Sequence, residues 1–360
     1  MFPFLQTDRK HLTRCVRIGE LANGKTGDNP RVGAVLVHGK RIIGEGYHVR
    51  AGTAHAEVNC LASVRPADRP LIRSATLYVS LEPCCITGRT GACTDVIRQH
   101  GITTVVFGQR DATPGVAGRS VEILREAGVT VREYPDFEPT RRINAPRRVM
   151  TVHNRPYVTL KYARSRDGFL RPADRSREYW LTGPISRRLV HRWRADYAAI
   201  LVGGRTVVED DPSLTTRLFP GPNPRPVIWD PRDRVSGRER LFRGEIKPLL
   251  FAGSARPGLN ADVTVVGDQL SEAAGAQVLS KVLEQGLGTL LVEGGAGMLS
   301  FFLQTGLWDE ARLFTAPVSL GGGLPAPQPE VPAEQWRIRS VGNDELAEVS
   351  NPTPASLPAL

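Results

Sequence analysis

His55-Ala56-Glu57, then Pro83-Cys84, then Cys93 nine residues later, is the stretch that decides how this chain is read. One imidazole and two thiolates complete the protein ligand set of a catalytic zinc and leave a fourth position for water. Bound zinc lowers the pKa of water from about 15.7 to about 7, so hydroxide becomes available at neutral pH. Glu57 can reach that water and move protons without binding the metal. The flanks carry fold information too. An apolar strand over Ala75–Leu81 runs into Glu82-Pro83-Cys84, a Gly/Thr-rich loop follows, and Cys93 opens a helical run over Thr94–His100. The partial positive charge of a helix N-terminus stabilises a thiolate. His55 likewise precedes an apolar helical run, Val58–Ala62. Cysteines such as Cys15, Cys60 and Cys85 can be plain buried apolar residues, but the joint pattern favours a metal. His-x-Glu followed by Pro-Cys is the pattern of zinc deaminases, which attack an amidine-like ring carbon and expel ammonia.

Outward from this stretch, helices alternate with short buried strands, the signature of an α/β layer fold. Asp8 reads as the cap of a helix reaching about Ala22. Strands are expected at Val32–Val37 and Arg41–Tyr47, joined by a turn at His38-Gly39-Lys40, and later at Thr103–Phe107 and Val129–Glu133 around a helix near Ser120–Ala127. Residues 1–134 read as one domain. The stretch 135–155, with Pro135, Pro139 and Pro146 and no apolar period, reads as a linker. Residues 156–350 read as a second domain, and 351–360 as a disordered tail.

The second domain opens on an apolar strand, Tyr157–Ala163. Two later places combine strand, glycine pair and helix: Ala198–Val202 with Gly203-Gly204, and Thr289–Val292 with Glu293-Gly294-Gly295-Ala296-Gly297. Glycines at such junctions let a phosphate approach the backbone N–H groups of a helix N-terminus, although they also serve ordinary tight turns. Neither matches Gly-x-Gly-x-x-Gly, so a standard Rossmann half is not expected. Further strands are expected at Val227–Trp229, Leu249–Ala252, Val263–Val266 and Arg312–Ala316, and a loop at Gly321–Pro329.

At 360 residues the chain holds about two domains. No apolar run approaches the roughly 20 residues that span a bilayer, so no membrane partner is expected. Met1–Lys10 lacks the pattern of a signal peptide. An odd cysteine count argues for a reducing compartment, hence the cytoplasm. The net charge of +10 could attract nucleic acid or phosphorylated metabolites. Lysine, however, occurs only at positions 10, 25, 40, 161, 247 and 281, and arginine supplies every other basic residue. Such a bias, with no charge block and few aromatics for stacking, argues against a nucleic-acid partner. A monomer and a homo-oligomer both remain open.

Taken together, the motifs resemble the bifunctional pyrimidine deaminase/reductase family of bacterial riboflavin biosynthesis, over about residues 10–345. The first half shows Asn29-Pro30-Arg31-Val32-Gly33-Ala34-Val35, Gly44-Glu45-Gly46-Tyr47-His48, His55-Ala56-Glu57-Val58-Asn59, Leu81-Glu82-Pro83-Cys84, Gly88-Arg89-Thr90, Cys93-Thr94-Asp95 and Val116-Ala117-Gly118. The second half shows Tyr157-Val158-Thr159-Leu160-Lys161, Ser165-Arg166-Asp167-Gly168, Trp180-Leu181-Thr182-Gly183, Asp210-Asp211-Pro212-Ser213-Leu214-Thr215 and Val292-Glu293-Gly294-Gly295.

The resemblance implies a cytidine-deaminase-like zinc domain followed by a domain resembling dihydrofolate reductase. It implies two reactions on a phosphorylated pyrimidine: hydrolysis of the 2-amino group of a diaminopyrimidinone ribosyl phosphate, then NADPH-dependent reduction of its ribosyl group to ribityl. By carry-over, His55, Cys84 and Cys93 hold one zinc, Glu57 is the proton shuttle, and Asn29, His48 and Arg89 bind the deaminase substrate. Ala163, Trp180, Thr206, Asp210 and the turn Gly295, Ala296, Gly297, Met298, Leu299, Ser300 and Phe301 match positions that contact NADPH. Arg194, Leu214, Arg217 and Glu293 match positions that hold the reductase substrate, where an arginine fork suits a phosphate. Lys161, a rare lysine on a strand, can orient substrate or phosphate, or can be an ordinary lysine at a strand edge.

Five positions depart from the family pattern, Ile86 for a histidine, Gly91-Ala92 for Pro-Pro, Glu178 for a small hydroxyl residue and Pro231 for serine, as does the connector from Arg141 to Val149. Ile86 and the Gly91-Ala92 loop motivate one alternative, an active reductase with an altered or inactive deaminase. The net charge motivates another, a nucleic-acid-binding or editing deaminase.

Overall fold

The computed structural model describes residues 5–87, 91–174 and 180–357. The chain divides into two compact units, one ending at Val152 and the other beginning at His153.

The first unit runs α1 (Gln6–Gly19), β1 (Gly33–His38), β2 (Arg41–Tyr47), α2 (Ala56–Ala62), β3 (Thr76–Leu81), α3 (Cys93–Gln99), β4 (Thr104–Gln109), α4 (Arg119–Glu126), β5 (Thr130–Glu133) and α5 (Glu138–Val152). Its sheet has the order β2-β1-β3-β4-β5. The hairpin partner β2 and the neighbour β3 are both antiparallel to β1, while β3, β4 and β5 run parallel. Alternation along β1 feeds two cores, because successive side chains point to opposite faces. Ala34 and Leu36 pack with Ala56, Cys60, Ile97 and Val121 beneath α2, α3 and α4. Val35 and Val37 pack with Leu12, Cys15, Tyr134 and Phe137 beneath α1 and the approach to α5. A Cβ on Gly46 would sit 2.2 Å from the Cys60 nitrogen, so only glycine lets α2 lie this close to β2.

Two expectations for this unit are corrected. Asp8 is not a cap, since the cap position of α1 is Leu5. One turn in, the Asp8 carboxylate is buried and accepts hydrogen bonds from the Tyr78 and Tyr134 hydroxyls and the Arg132 guanidinium. The linker at 135–155 is largely the helix α5, which belongs to the first unit. Its buried face mixes polar and apolar residues: Thr140 packs against Gly108, Asn144 donates to the Ser80 carbonyl, and Val149 is the one apolar member. Hydrogen bonding in place of an apolar stripe hides such a helix from periodicity.

The second unit runs β6 (Tyr157–Arg164), β7 (Phe169–Arg171), α6 (Pro184–Asp196), β8 (Ala199–Gly203), α7 (Gly204–Asp210), β9 (Arg225–Asp230), β10 (Leu249–Ala252), β11 (Asp262–Val265), α8 (Glu272–Glu284), β12 (Thr289–Val292), α9 (Ala296–Thr305), β13 (Glu310–Thr315), β14 (Leu324–Pro325), β15 (Arg337–Val341) and β16 (Asp344–Ser350). Nine strands form one sheet in the order β11-β10-β9-β8-β12-β6-β13-β16-β15. All neighbours are parallel except β16 against β13 and β15. From β8 the chain steps outward to β11, returns to insert β12 between β8 and β6, and leaves on the other side. Open parallel sheets bind ligands at the carboxyl ends of strands beside such a switch point. Val158, Leu201, Trp229 and Phe251 face α8 and α9 on one side, and Ile200, Ile228, Leu291 and Phe314 face α6 and α7 on the other.

The tail read as disordered is ordered through Leu357; residues 358–360 lie outside the described ones. The Ala355 nitrogen donates to the Gly306 carbonyl, and the Ala355 carbonyl accepts from Arg155. Arg155, fully buried, forms a bidentate pair with Asp309 at 2.6 and 2.8 Å. Arg155→Met should lower unfolding free energy by about 3–5 kcal/mol, because Asp309 would stay buried without its partner. Urea denaturation followed by tryptophan fluorescence measures this, and a loss below about 1 kcal/mol would refute it.

Candidate active sites

Three segments of the first unit converge on one point. His55 caps α2 in extended conformation, Cys84 follows β3, and Cys93 is the first residue of α3. Their donor atoms all lie within 4.8 Å of one another. His55 Nδ1 is 3.3 Å from Cys93 Sγ and 3.4 Å from Cys84 Sγ. Tetrahedral zinc, with Zn–S about 2.3 Å and Zn–N about 2.0–2.1 Å, sets an N···S separation of about 3.6 Å. The trio therefore fits a zinc ion in both chemistry and spacing.

The polar surroundings prepare the thiolates. A hydrogen bond from the Cys93 thiol, the His55 ring and the Cys93 backbone N–H lower Cys84 to about 4, against the effect of burial. Cys93 is pushed up by the same shared hydrogen bond and by burial. Glu57 is buried and raised to about 7, first by desolvation and then by the Cys84 charge. At that value one carboxyl can both take and return a proton near neutrality. A divalent cation on the adjacent ligands draws it downward again.

Asn29 and His48 stand beside this centre. The His48 and His55 rings meet edge-to-face with centroids 5.7 Å apart. His48 Nδ1 lies 3.2 Å from the Ala54 carbonyl, which only accepts, so this nitrogen carries the proton. Nε2 is then an acceptor for the Asn29 amide, 3.5 Å away. Burial lowers the His48 pKa and keeps the ring neutral. Arg89 and Glu178 lie outside the described residues. Ile86 is 46 % exposed, so it offers apolar surface where the family pattern has a polar ring.

A role not read from the sequence belongs to Glu82. Buried under the Cys84 turn, its carboxylate accepts from the backbone N–H groups of Asp111 and Gly118 and from the Ser120 hydroxyl. It thereby ties the loop between β4 and α4 to the strand that delivers Cys84. Asn59 does similar work, donating to the Tyr47 and Ala54 carbonyls and fixing the segment that carries His48 and His55. The signal was a carboxylate and an amide inside apolar runs.

In the second unit, Lys161 on β6, Arg194 on α6 and Glu293 after β12 come together. Arg194 grips Glu293 bidentately at 2.9 and 2.8 Å and donates to the Thr215 carbonyl at 3.0 Å. Burial alone would raise Glu293, but Arg194 and Lys161 outweigh it and hold the carboxyl at about 2. Desolvation lowers Lys161, and Glu293 counteracts it. The fork of Arg194, expected to face a phosphate, is thus spent on Glu293. Arg217 is exposed and donates only to the neutral Ser213 hydroxyl among the described hydrogen bonds. Leu214, buried with φ of 51°, turns the backbone between them.

Both strand–glycine–helix junctions lie at the carboxyl ends of the adjacent central strands β8 and β12, ahead of α7 and α9. Gly295 adopts φ of 74°, its missing Cβ would sit 3.1 Å from Thr206 Oγ1, and nothing approaches a Cβ on Gly297 within 4 Å. This open cradle at the N-terminus of α9 fits the pyrophosphate of a dinucleotide. Met298, Leu299 and Phe301 of the same turn are buried in the core, so Gly295, Ala296, Gly297 and Ser300 are its accessible members. Ala163 is next to last in the neighbouring β6, Asp210 closes α7, and the exposed indole of Trp180 carries Arg187 5.3 Å above its ring. Pro231 is buried, with its carbonyl against Gly253.

Residues 5–109 match the cytidine and deoxycytidylate deaminase zinc-binding region, and residues 156–346 match the RibD C-terminal domain. The riboflavin biosynthesis protein RibD of Aquifex aeolicus is 35% identical over 323 residues, covering 89% of each chain. That of Escherichia coli is 33% identical, covering 94% of this chain and 97% of its own. The chain belongs to the RibD family. A crystal structure of the Thermotoga maritima diaminohydroxyphosphoribosylaminopyrimidine deaminase/5-amino-6-(5-phosphoribosylamino)uracil reductase superposes with a TM-score of 0.82, at 33% identity over 96% of this chain and 99% of that one. Acinetobacter baumannii RibD gives 0.79 at 29% identity, covering 97% of this chain and 100% of that one. As a RibD-family member the chain is an enzyme of riboflavin biosynthesis with a zinc-binding deaminase domain and an NADPH-dependent reductase domain, acting on a phosphorylated pyrimidine. Among the described residues no helix is long and apolar enough to cross a membrane.

Proposed function

We propose that the first unit hydrolyses the 2-amino group of 2,5-diamino-6-(5-phosphoribosylamino)pyrimidin-4(3H)-one, and that the second reduces the ribosyl group of the resulting 5-amino-6-(5-phosphoribosylamino)uracil to ribityl. The observation that carries this reading is the His55–Cys84–Cys93 donor trio beside a buried Glu57, in a chain whose other half holds a dinucleotide cradle.

Zinc on His55, Cys84 and Cys93 supplies the Lewis acidity that makes water nucleophilic at neutral pH. Glu57 takes a proton from the attacking water, passes one to the ring nitrogen and then one to the departing amine. Neutral His48, held by Ala54 and Asn29, presents a fixed hydrogen-bonding edge to the pyrimidine, with Arg89 as a further contact.

Residues of the Gly295–Phe301 turn with Ala163, Trp180, Thr206 and Asp210 would hold NADPH, which would supply the hydride. The Lys161 ammonium orients the sugar oxygen that gains a proton. Glu293 favours the charged form of that ammonium and is itself held in place by Arg194, and Leu214 and Arg217 line the substrate side. Five free cysteines accord with a reducing, cytoplasmic setting.

Zinc-loaded protein given the diaminopyrimidinone ribosyl phosphate and NADPH should release ammonia and oxidise NADPH in equal amounts. NADPH consumption only with the deaminated uracil nucleotide would place the fault in the loop of Ile86. Silence with both substrates would refute the reading.

A further inference from the structure

A cavity of about 820 Å³ lies between α6 and the loop that follows α7, lined by Arg188, Thr215, Thr216, Arg217 and Asn223 together with the 218–221 turn. Among the described residues no carboxylate lines it. Arg188 is exposed and makes no ion pair or hydrogen bond with another described residue. Two guanidinium groups facing one cavity without a counter-charge repel each other, and an anion between them removes the repulsion.

The walls are built before any ligand arrives. The Thr216 nitrogen and hydroxyl both bond the Asn223 side chain at 2.9 Å, and the hydroxyl also donates to the Gly221 carbonyl. The Leu218 nitrogen donates to His191 of α6 at 3.5 Å, which pins the turn to the helix. The cavity also abuts the reducing centre, because Arg194 donates to the carbonyl of its lining residue Thr215. Arg188 lies six residues before Arg194, or about 9 Å along the helix at 1.5 Å per residue. A substrate with its sugar at Lys161 and Glu293 can therefore extend its far end to Arg188.

We propose that Arg188 is a substrate-binding residue of the reductase, pairing with the phosphate monoester of the pyrimidine nucleotide in this cavity and selecting phosphorylated over dephosphorylated substrate. The proposal rests on the reductase reading above, with Arg217 as the first phosphate partner and Arg188 as the second. In the sequence Arg188 is one exposed arginine among many.

The test compares wild type, Arg188→Ala and Arg188→Lys on the phosphorylated uracil nucleotide, on its dephosphorylated riboside, and with NADPH against NADH. Arg188→Ala should raise KM for the phosphorylated compound about tenfold, as expected for one charge-assisted contact, with kcat within about twofold. Arg188→Lys should recover part of that loss, and kcat/KM for the riboside should not change. Equal losses on both pyrimidines, or no loss on either, would overturn the proposal. A rise confined to the KM of NADPH, with NADH unaffected, would also overturn it by assigning the phosphate to the cofactor. Calorimetric titration with the phosphorylated nucleotide separates the two readings. Binding weakened by Arg188→Ala in a protein without reductase turnover keeps the cavity assignment and sinks the reaction. Absence of wild-type binding sinks both.

Discussion

Glu57→Gln should cut ammonia release by about 10²–10⁴-fold, the range that a positioned acid–base group contributes. The amide keeps the shape of the carboxyl but can neither take a proton from water nor return one to the ring or the amine. Zinc content should stay at one per chain, since the donors are His55, Cys84 and Cys93. NADPH oxidation with the deaminated uracil nucleotide should also be unchanged, because that chemistry belongs to the other unit. Ammonia assay, metal analysis and NADPH absorbance on one preparation check all three. Ammonia release within threefold of wild type would remove Glu57 from the mechanism. Loss of zinc along with activity would make it a structural residue instead.

Glu293→Gln should disable the reductase and weaken the second unit together. The carboxylate lies between Arg194 and Lys161, and neutralising it leaves two cations in a desolvated place. Losing hydrogen bonds to a charged group costs about 10- to 100-fold in kcat/KM, while ammonia release should stand. The stability effect has a definite pH signature. The Glu293 carboxyl titrates near 4.5 when unfolded and at about 2 when folded. A depressed folded value means stability that is fully present above pH 4.5 and lost as pH falls towards 2. The difference corresponds to roughly 3 kcal/mol. Urea melts of wild type and variant should therefore differ most near pH 6 and converge only as pH approaches 2. A gap that stays constant with pH would mean that the charge of Glu293 does not stabilise the fold.

The chemistry of the first unit was legible because its groups sit where local rules place them. His55 caps a helix, Cys93 opens one and Cys84 ends a strand, so each ligand coincides with a boundary that turn and cap chemistry marks. Strands β1 to β5 and β6 followed their apolar runs for the same reason. The helix α5 and the hairpin β15–β16 did not, since their stabilising contacts are polar or come from strands distant in sequence. Asp8 shows the limit of a local rule: its position suits a cap, yet Tyr78, Tyr134 and Arg132 claim its oxygens from 70 and more residues away.

The second site divides along the same line. The glycine pairs at 203–204 and 294–295 marked strand–helix junctions that suit either a phosphate or an ordinary tight turn, and in the fold Gly204 is also required by packing, since a Cβ there would meet Asp230 at 2.2 Å. That Arg194 would be bound to Glu293, while Arg217 and Arg188 pair with no carboxylate among the described residues, could not be read from the chain. Sequence alone determined which functional groups exist and which local turns present them, since ligand type, caps and glycine conformations act over a few residues. Tertiary structure alone decided which charges neutralise each other and which remain for a ligand. Electrostatic pairing depends on distance and burial across strands and helices that the chain brings together only when folded.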